Sequence, residues 1–163
     1  MTMAMDTPEI QPAASLAQGA VRVVGRVRRP LVVSLDTLRR METETRRDIP
    51  IYCGTGDPKG SIASCRGVLL ENVIRMADVA KDADNDTKKM FIVASADDGY
   101  TVVFSWQEIF NTPVGGGVMI LIERDGRPLG KAGGDLALIS AEDFFTGSRY
   151  VKGLTTIELR RAD

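Results

Sequence analysis

The chain has 163 residues, of which 44% are hydrophobic and 26% charged, with 21 basic side chains against 22 acidic ones. This is the composition of one globular domain with its own core. The net charge of -1 gives no broad positive field for gathering nucleic acid. No run reaches the ~18 apolar residues of a membrane helix. The chain has no histidine, so a metal site must rely on sulfur, carboxylates or ligands that a cofactor brings.

The first residues differ in composition from the rest. Residues 1–19 are rich in Met, Pro, Ala and Gln, and they lack the basic start and apolar stretch of a signal peptide. We expect a flexible leader there and a single domain over residues 20–160. If a signal peptide was removed before residue 1, the protein is periplasmic; otherwise it is cytoplasmic. The two cysteines, Cys53 and Cys65, could pair or both stay free.

Strand signals dominate the chain. Apolar and β-branched runs bounded by Gly, Pro or Asp predict strands, over residues 20–25, 49–53, 90–95, 100–104, 118–123, 136–139 and 154–159. The turn at residues 97–99 joins two of them as an antiparallel hairpin. Strands in hairpins with few helices indicate an α+β domain, mostly β, with mixed and antiparallel sheets.

Helical signals are few and short. Ser34 can cap a helix that begins at the next residue, and Ser105 with Glu108 forms the capping-box pattern of another. Apolar spacing predicts a helix at about residues 69–79, and residues 140–145 predict a short helix or turn. Segments rich in Gly, charge or other polar residues are expected as loops, over residues 42–48, 54–60, 81–89 and 115–117.

Cys53 ends a β-prone run and faces a Gly-rich turn at residues 54–56. A cysteine there can present a thiolate to a bulky group, or it can be a small buried hydrophobe. Tyr100 can be a site residue or a half-buried strand tyrosine. Asp97 and Asp98 can be an acid–base pair, but in a turn they more often form the turn itself. The residues alone leave these alternatives open.

Several segments have a characteristic order and spacing. They are residues 21–38, Cys53, residues 66–70 (RGVLL), residues 95–100 (SADDGY) and residues 121–159, which contain RDGRPL, GG, YVK and IEL. Together they resemble the molybdopterin-binding domain of the sulfite oxidase family, which shows GVPL, a DGY hairpin and an NGxPL, G, VKW and I ending in the same order. The resemblance covers about residues 20–160.

The resemblance implies a molybdenum held by a pterin dithiolene and one protein thiolate, here Cys53, because soft sulfur ligands suit a redox metal. Tyr100 matches the family's tyrosine that hydrogen-bonds the oxo or substrate oxygen. Arg66 and Lys152 are expected to meet the pterin phosphate or an anionic substrate. No haem segment is present, so electrons would pass to a separate partner such as a haem protein.

A second hypothesis is a degenerate family member that keeps the fold as a cofactor-free binding or interaction module. The missing histidine favours it, because the family holds the pterin phosphate with histidine and arginine. Residues 135–137 also favour it, since they stand where the family shows Pro and then Arg. Cys65 replaces a tryptophan of the family, and we interpret it as structural or as a disulfide partner of Cys53. The substrate and the oligomeric state stay open.

Overall fold

The computed structural model describes residues 19–130 and 135–163. Apart from Gly19, the predicted leader lies outside these residues. The strands are β1 (Ala20–Gly25), β2 (Leu31–Ser34), β3 (Glu44–Tyr52), β4 (Pro58–Leu69), β5 (Met90–Ala96), β6 (Thr101–Ser105), β7 (Val118–Arg124), β8 (Arg127–Pro128), β9 (Ala137–Ser140), β10 (Val151–Lys152) and β11 (Leu154–Arg161). The helices are α1 (Leu35–Arg40), α2 (Leu70–Ala77) and α3 (Trp106–Phe110), and 3-10 helices cover Asp84–Lys89, Pro113–Gly117 and Thr146–Arg149.

The strands form two sheets, which confirms the predicted α+β class. The first sheet has the order β2-β1-β11-β5-β6, in which β1 pairs β11 in parallel and the other neighbours are antiparallel. The second sheet has the order β10-β9-β7-β4-β3, with β8 paired to β7, and its pairs are antiparallel. The result is a mixed sheet and an antiparallel sheet, as the sequence predicted.

The main core contains residues of both sheets and of the short helices. Val23 of β1, Ile120 of β7 and Phe104 of β6 are fully buried in it. Helix α2 buries Leu70, Val73, Ile74 and Ala77, which follow the spacing of one helix face. A smaller core cluster lies on the other face of the second sheet and contains Ile62 and Cys65.

Several predicted elements are confirmed. Strands β5 and β6 pair antiparallel from Phe91 opposite Ser105 to Ser95 opposite Thr101. The Ser34 side chain accepts a hydrogen bond at the start of α1, and Ser105 with Glu108 forms a complete capping box at α3. Among the residues that the structure describes, no helix has the length and apolar character needed to cross a bilayer.

Other predictions are wrong. Strand β3 begins at Glu44, where a polar loop was expected, and β4 begins at Pro58, within the expected loop over residues 54–60. These strands pair with each other, and β3 lies at the sheet edge, so polar side chains on their outer face remain in water. Residues 81–89 and 115–117 were expected as loops, but 3-10 helices occupy Asp84–Lys89 and Pro113–Gly117.

Candidate functional site

A cleft of about 380 Å³ brings together three of the four predicted site residues. Cys53 follows β3 of the second sheet, Tyr100 precedes β6 of the first sheet, and Lys152 belongs to β10. The remaining lining residues are Ile51, Lys59, Asp98, Arg124, Gly147 and Tyr150. This volume lies within the range of roughly 300–1,000 Å³ that is usual for small-molecule sites.

Arg66, the fourth predicted residue, lies elsewhere in the second sheet. It is opposite Glu123 in the pairing of β4 with β7, and its Nε lies 3.6 Å from a Glu123 carboxylate oxygen. Its Nη1 donates a hydrogen bond to Thr43 Oγ1 at 3.4 Å. The residues that line the cleft do not include Arg66.

Cys53 is held in a tight turn and keeps a free, partly exposed thiol. Its backbone N–H donates to the Asp57 carbonyl, and its carbonyl accepts from the Gly56 N–H. Its Sγ lies 2.9 Å from Thr55 Oγ1, which also lies 3.0 Å from a carboxylate oxygen of Asp57. The hydrogen bond with the Thr55 side chain is the main cause that lowers the pKa of Cys53.

The single proton of the Thr55 hydroxyl explains how this arrangement serves both forms of Cys53. When Cys53 is a thiol, its S–H can donate to Thr55 while Thr55 donates to Asp57. When Cys53 is a thiolate, Thr55 can turn its proton to the sulfur, which stabilises the charged form. The thiolate is the form that binds metals, so the turn is suited to a metal-ligating cysteine.

We expect Cys53 to be alkylated faster than Cys65 in the native, reduced protein. Cys65 is 2% exposed, and burial raises the pKa of its thiol. Thr55→Val should move the midpoint of the pH–rate profile of Cys53 alkylation upward, because it removes the donor that favours the thiolate. Mass spectrometry of iodoacetamide-treated protein from pH 6 to 10 would measure both rates. Faster labelling of Cys65 would contradict the interpretation of Cys53 as the reactive thiol.

The Tyr100 hydroxyl is already oriented by the protein. It donates to the carbonyl oxygen of Ser148 at 2.6 Å, while the backbone N–H of Tyr100 donates to the Asp98 carboxylate at 2.9 Å. The second contact agrees with the interpretation of Asp98 as a turn former. While the Tyr100 hydroxyl donates its hydrogen bond to the Ser148 carbonyl, its oxygen still has lone pairs that can accept a hydrogen bond from a molecule in the cleft.

Two cations flank the ring of Tyr150 on the cleft wall. The guanidinium carbon of Arg124 lies 5.6 Å from the ring centre, and the Lys152 Nζ lies 5.4 Å from it. Arg124 Nη1 also donates to the Tyr150 hydroxyl. Burial raises the pKa of Tyr150, which keeps its phenol neutral beside these charges. With Lys59, the cleft therefore has three positively charged side chains that an anion can approach.

A second cleft, of about 460 Å³, adjoins the first. Both clefts are lined by Asp98, Arg124, Tyr150 and Lys152. The pair Arg124 and Lys152 therefore faces both spaces. Sequence reasoning missed Arg124, Tyr150 and Lys59, although Tyr150 directly precedes the VK pair and Arg124 lies within the segment that carried the resemblance.

The model of the family described as "Oxidoreductase molybdopterin binding domain" matches residues 5–163. The chain belongs to this family. The fold is similar to that in the crystal structure of the sulfane dehydrogenase SoxCD from Paracoccus pantotrophus, with a TM-score of 0.63 and 17% sequence identity. The match covers 90% of this chain but 40% of that chain, so the present chain spans less than half of it. A comparison with curated proteins finds no match.

The cleft residues of this molybdopterin-binding domain have the chemistry that its family's cofactor requires. A molybdenum dithiolene takes a soft protein thiolate, and Cys53 offers a partly exposed thiol with a lowered pKa. The anionic end of a pterin cofactor needs cationic donors, and Arg124 and Lys152 line the same cleft. Arginine and lysine thus provide positive charge in a chain without histidine.

Proposed function

We propose that this molybdopterin-binding oxidoreductase domain holds its cofactor in the cleft beside Cys53, with the Cys53 sulfur as the protein ligand of molybdenum. One observation carries the proposal. A partly exposed thiol with a lowered pKa shares a cleft with Tyr100 and with the basic residues Lys59, Arg124 and Lys152. A lone thiol is a weak metal site, so its position beside donors for an anionic cofactor is the informative feature.

The basic side chains occupy different positions around the cleft, and each suits a different kind of contact with an anion. Arg124 has a planar guanidinium that suits phosphate or carboxylate groups, and Lys152 adds a point charge on the other side of Tyr150. Both would hold the anionic part of the pterin or of the substrate. Tyr100 would form a hydrogen bond with the substrate. To donate to a substrate oxygen, its hydroxyl would first have to give up the hydrogen bond that it donates to the Ser148 carbonyl.

The cofactor, when bound, supplies two-electron redox chemistry. The positive cleft favours a small anionic substrate, because the cationic side chains that line it would attract and orient an anion. We propose that electrons leave to a separate acceptor protein, such as a haem protein. The similar protein SoxCD is named a sulfane dehydrogenase, which is consistent with a sulfur-containing substrate for this chain.

Molybdenum and pterin analysis tests the proposal. The protein should be produced in a host that makes molybdopterin, and the metal and pterin content per chain should be measured for wild type, Cys53→Ser and Cys65→Ser. We expect cofactor in wild type and in Cys65→Ser, and molybdenum loss in Cys53→Ser. A wild-type chain without pterin or molybdenum, next to a loaded control enzyme from the same cells, would instead support the cofactor-free binding module.

A further inference from the structure

One segment, residues 142–150, connects β9 to β10 of the second sheet, contacts β6 of the first sheet and forms a wall of the cleft. We call it the strap. Gly147 and Tyr150 of the strap line the cleft. The strap also accepts the hydrogen bond from Tyr100 through the Ser148 carbonyl. Its position therefore affects both the shape of the cleft and the orientation of Tyr100.

The strap is attached to the second sheet beside Cys53. The Thr146 hydroxyl, which is 3% exposed, donates to the Pro50 carbonyl of β3 at 2.6 Å. Gly147 approaches the backbone so closely that a Cβ added there would lie 2.7 Å from the Tyr52 carbonyl oxygen. A Cβ added to Gly54 would likewise lie 3.2 Å from Ser148 Oγ. On this side the strap packs directly against the residues that flank Cys53.

Arg149 attaches the strap to the first sheet and to α3. Its Nη1 and Nη2 donate to the two carboxylate oxygens of Glu108 at 3.2 and 3.0 Å, and Nη1 also donates to the Val103 carbonyl of β6 at 3.0 Å. The guanidinium carbon lies 4.3 Å from the centre of the Phe104 ring. Within the strap, Nε and Nη2 each lie 2.8 Å from an oxygen of Asp143.

We propose that Arg149 is a positioning residue that sets the opening of the cleft between Cys53 and Tyr100. Thr146 ties the strap to β3, which precedes Cys53, and Arg149 ties it to α3 and to β6, the strand that follows Tyr100. The inference rests on the proposed function and extends it, because it names the residue that sets the width of the proposed cofactor cleft. It concerns the folded chain without cofactor, so it can fail or hold independently of the metal analysis.

The chemistry of Arg149 suits this role better than that of a lysine. Its side chain is only 21% exposed, and it bonds two carboxylates in pairs while stacking on Phe104. A lysine cannot reproduce two paired contacts and a planar stack. Without the guanidinium, Glu108 and Asp143 would face each other with like charge, which would push the strap away from α3.

Arg161 provides a matched control. Its side chain is 24% exposed and contacts the carboxylates of Asp82, Asp86 and Asp163 at 3.1, 3.2 and 3.3 Å. It lies opposite Met90 in the pairing of β11 with β5, at the end of β5 away from Tyr100. Replacing Arg161 should therefore remove a comparable ion pair without touching the strap.

The test measures alkylation rates of Cys53 and Cys65 in cofactor-free protein by mass spectrometry. Arg149→Met should raise the rate at Cys53 by about three- to fivefold, because the thiol is already partly exposed and the loss of charge-assisted contacts widens its access. Cys65, which is buried in the second sheet, should stay protected. Arg149→Lys should restore only part of the wild-type rate, and Arg161→Met should leave the rate at Cys53 unchanged.

Glu108→Gln keeps the proposal testable if Arg149→Met does not fold. Glutamine still accepts the capping-box hydrogen bond from the Ser105 N–H but carries no charge for Arg149. It should also raise the alkylation rate of Cys53, by a smaller factor than Arg149→Met does. An unchanged Cys53 rate in the folded variants, or a parallel rise at Cys65 as in global unfolding, would overturn the proposal.

Discussion

A chain that carries both Arg124→Met and Lys152→Met should lose its pterin cofactor at least about a hundredfold faster than wild type. Each hydrogen bond to a charged group contributes roughly 1.5–3 kcal/mol, so two of them correspond to about two orders of magnitude or more in affinity. Both side chains line the cleft, and they flank the same tyrosine ring. Methionine keeps much of each side chain's length and removes the charge.

The measurement is the pterin that remains on the protein during dialysis, released by denaturation and quantified by fluorescence. Arg127→Met is the matched control, because Arg127 lies opposite Arg124 in the pairing of β7 with β8 and is exposed. It should retain cofactor as wild type does. Equal retention in the double variant and in this control would show that Arg124 and Lys152 do not hold the cofactor.

Gly25→Ala should cause one of the largest losses of stability of any single substitution in the chain. Gly25 ends β1 with φ of 91°, and a Cβ added there would lie 2.2 Å from the carbonyl oxygen of Leu159 in β11. The clash is with backbone, so the parallel pairing of the two strands must separate to relieve it. We expect a loss of at least about 3 kcal/mol in the free energy of unfolding, from overpacking and backbone strain together.

Gly99 separates the two causes of that loss. It has the same φ of 91°, but a Cβ added there would meet no atom within 4 Å. Gly99→Ala should therefore cost only the backbone term, about 1–2 kcal/mol. Urea denaturation of both variants gives the comparison. Equal losses in the free energy of unfolding would mean that the close approach of Gly25 to the Leu159 carbonyl adds no steric cost to that of backbone strain.

The fold was predictable where the sequence carries its own local signal. The hairpin of β5 and β6 has apolar runs on each side of a turn, and α3 has its capping box within four residues. Strand β4 was missed because only its pairing explains it. Its first half buries Ile62 and leaves Ser61 and Ala63 exposed, and its second half, between β3 and β7, buries Cys65, Gly67 and Val68. That burial depends in part on β7, which lies far along the chain.

The candidate site was predictable in part. Cys53, Tyr100 and Lys152 were chosen by resemblance, and they line one cleft. Arg124 and Tyr150 were missed because they meet only through the sheet, where β9 lies between β7 and β10. Arg66 was chosen by its place in a motif, but the register of β4 with β7 sets it opposite Glu123. The pairing register determines which side chains of two neighbouring strands lie opposite each other, and it depends on both strands together.

X-ray absorption at the molybdenum edge tests the central claim, that the Cys53 sulfur is the protein ligand of molybdenum. It should be recorded on wild type and on Cys53→Ser loaded in the same host, with Cys65→Ser as the control. We predict that the wild-type metal has one more sulfur neighbour than any metal retained by Cys53→Ser, and that Cys65→Ser matches wild type. An identical sulfur shell in wild type and Cys53→Ser would contradict the account.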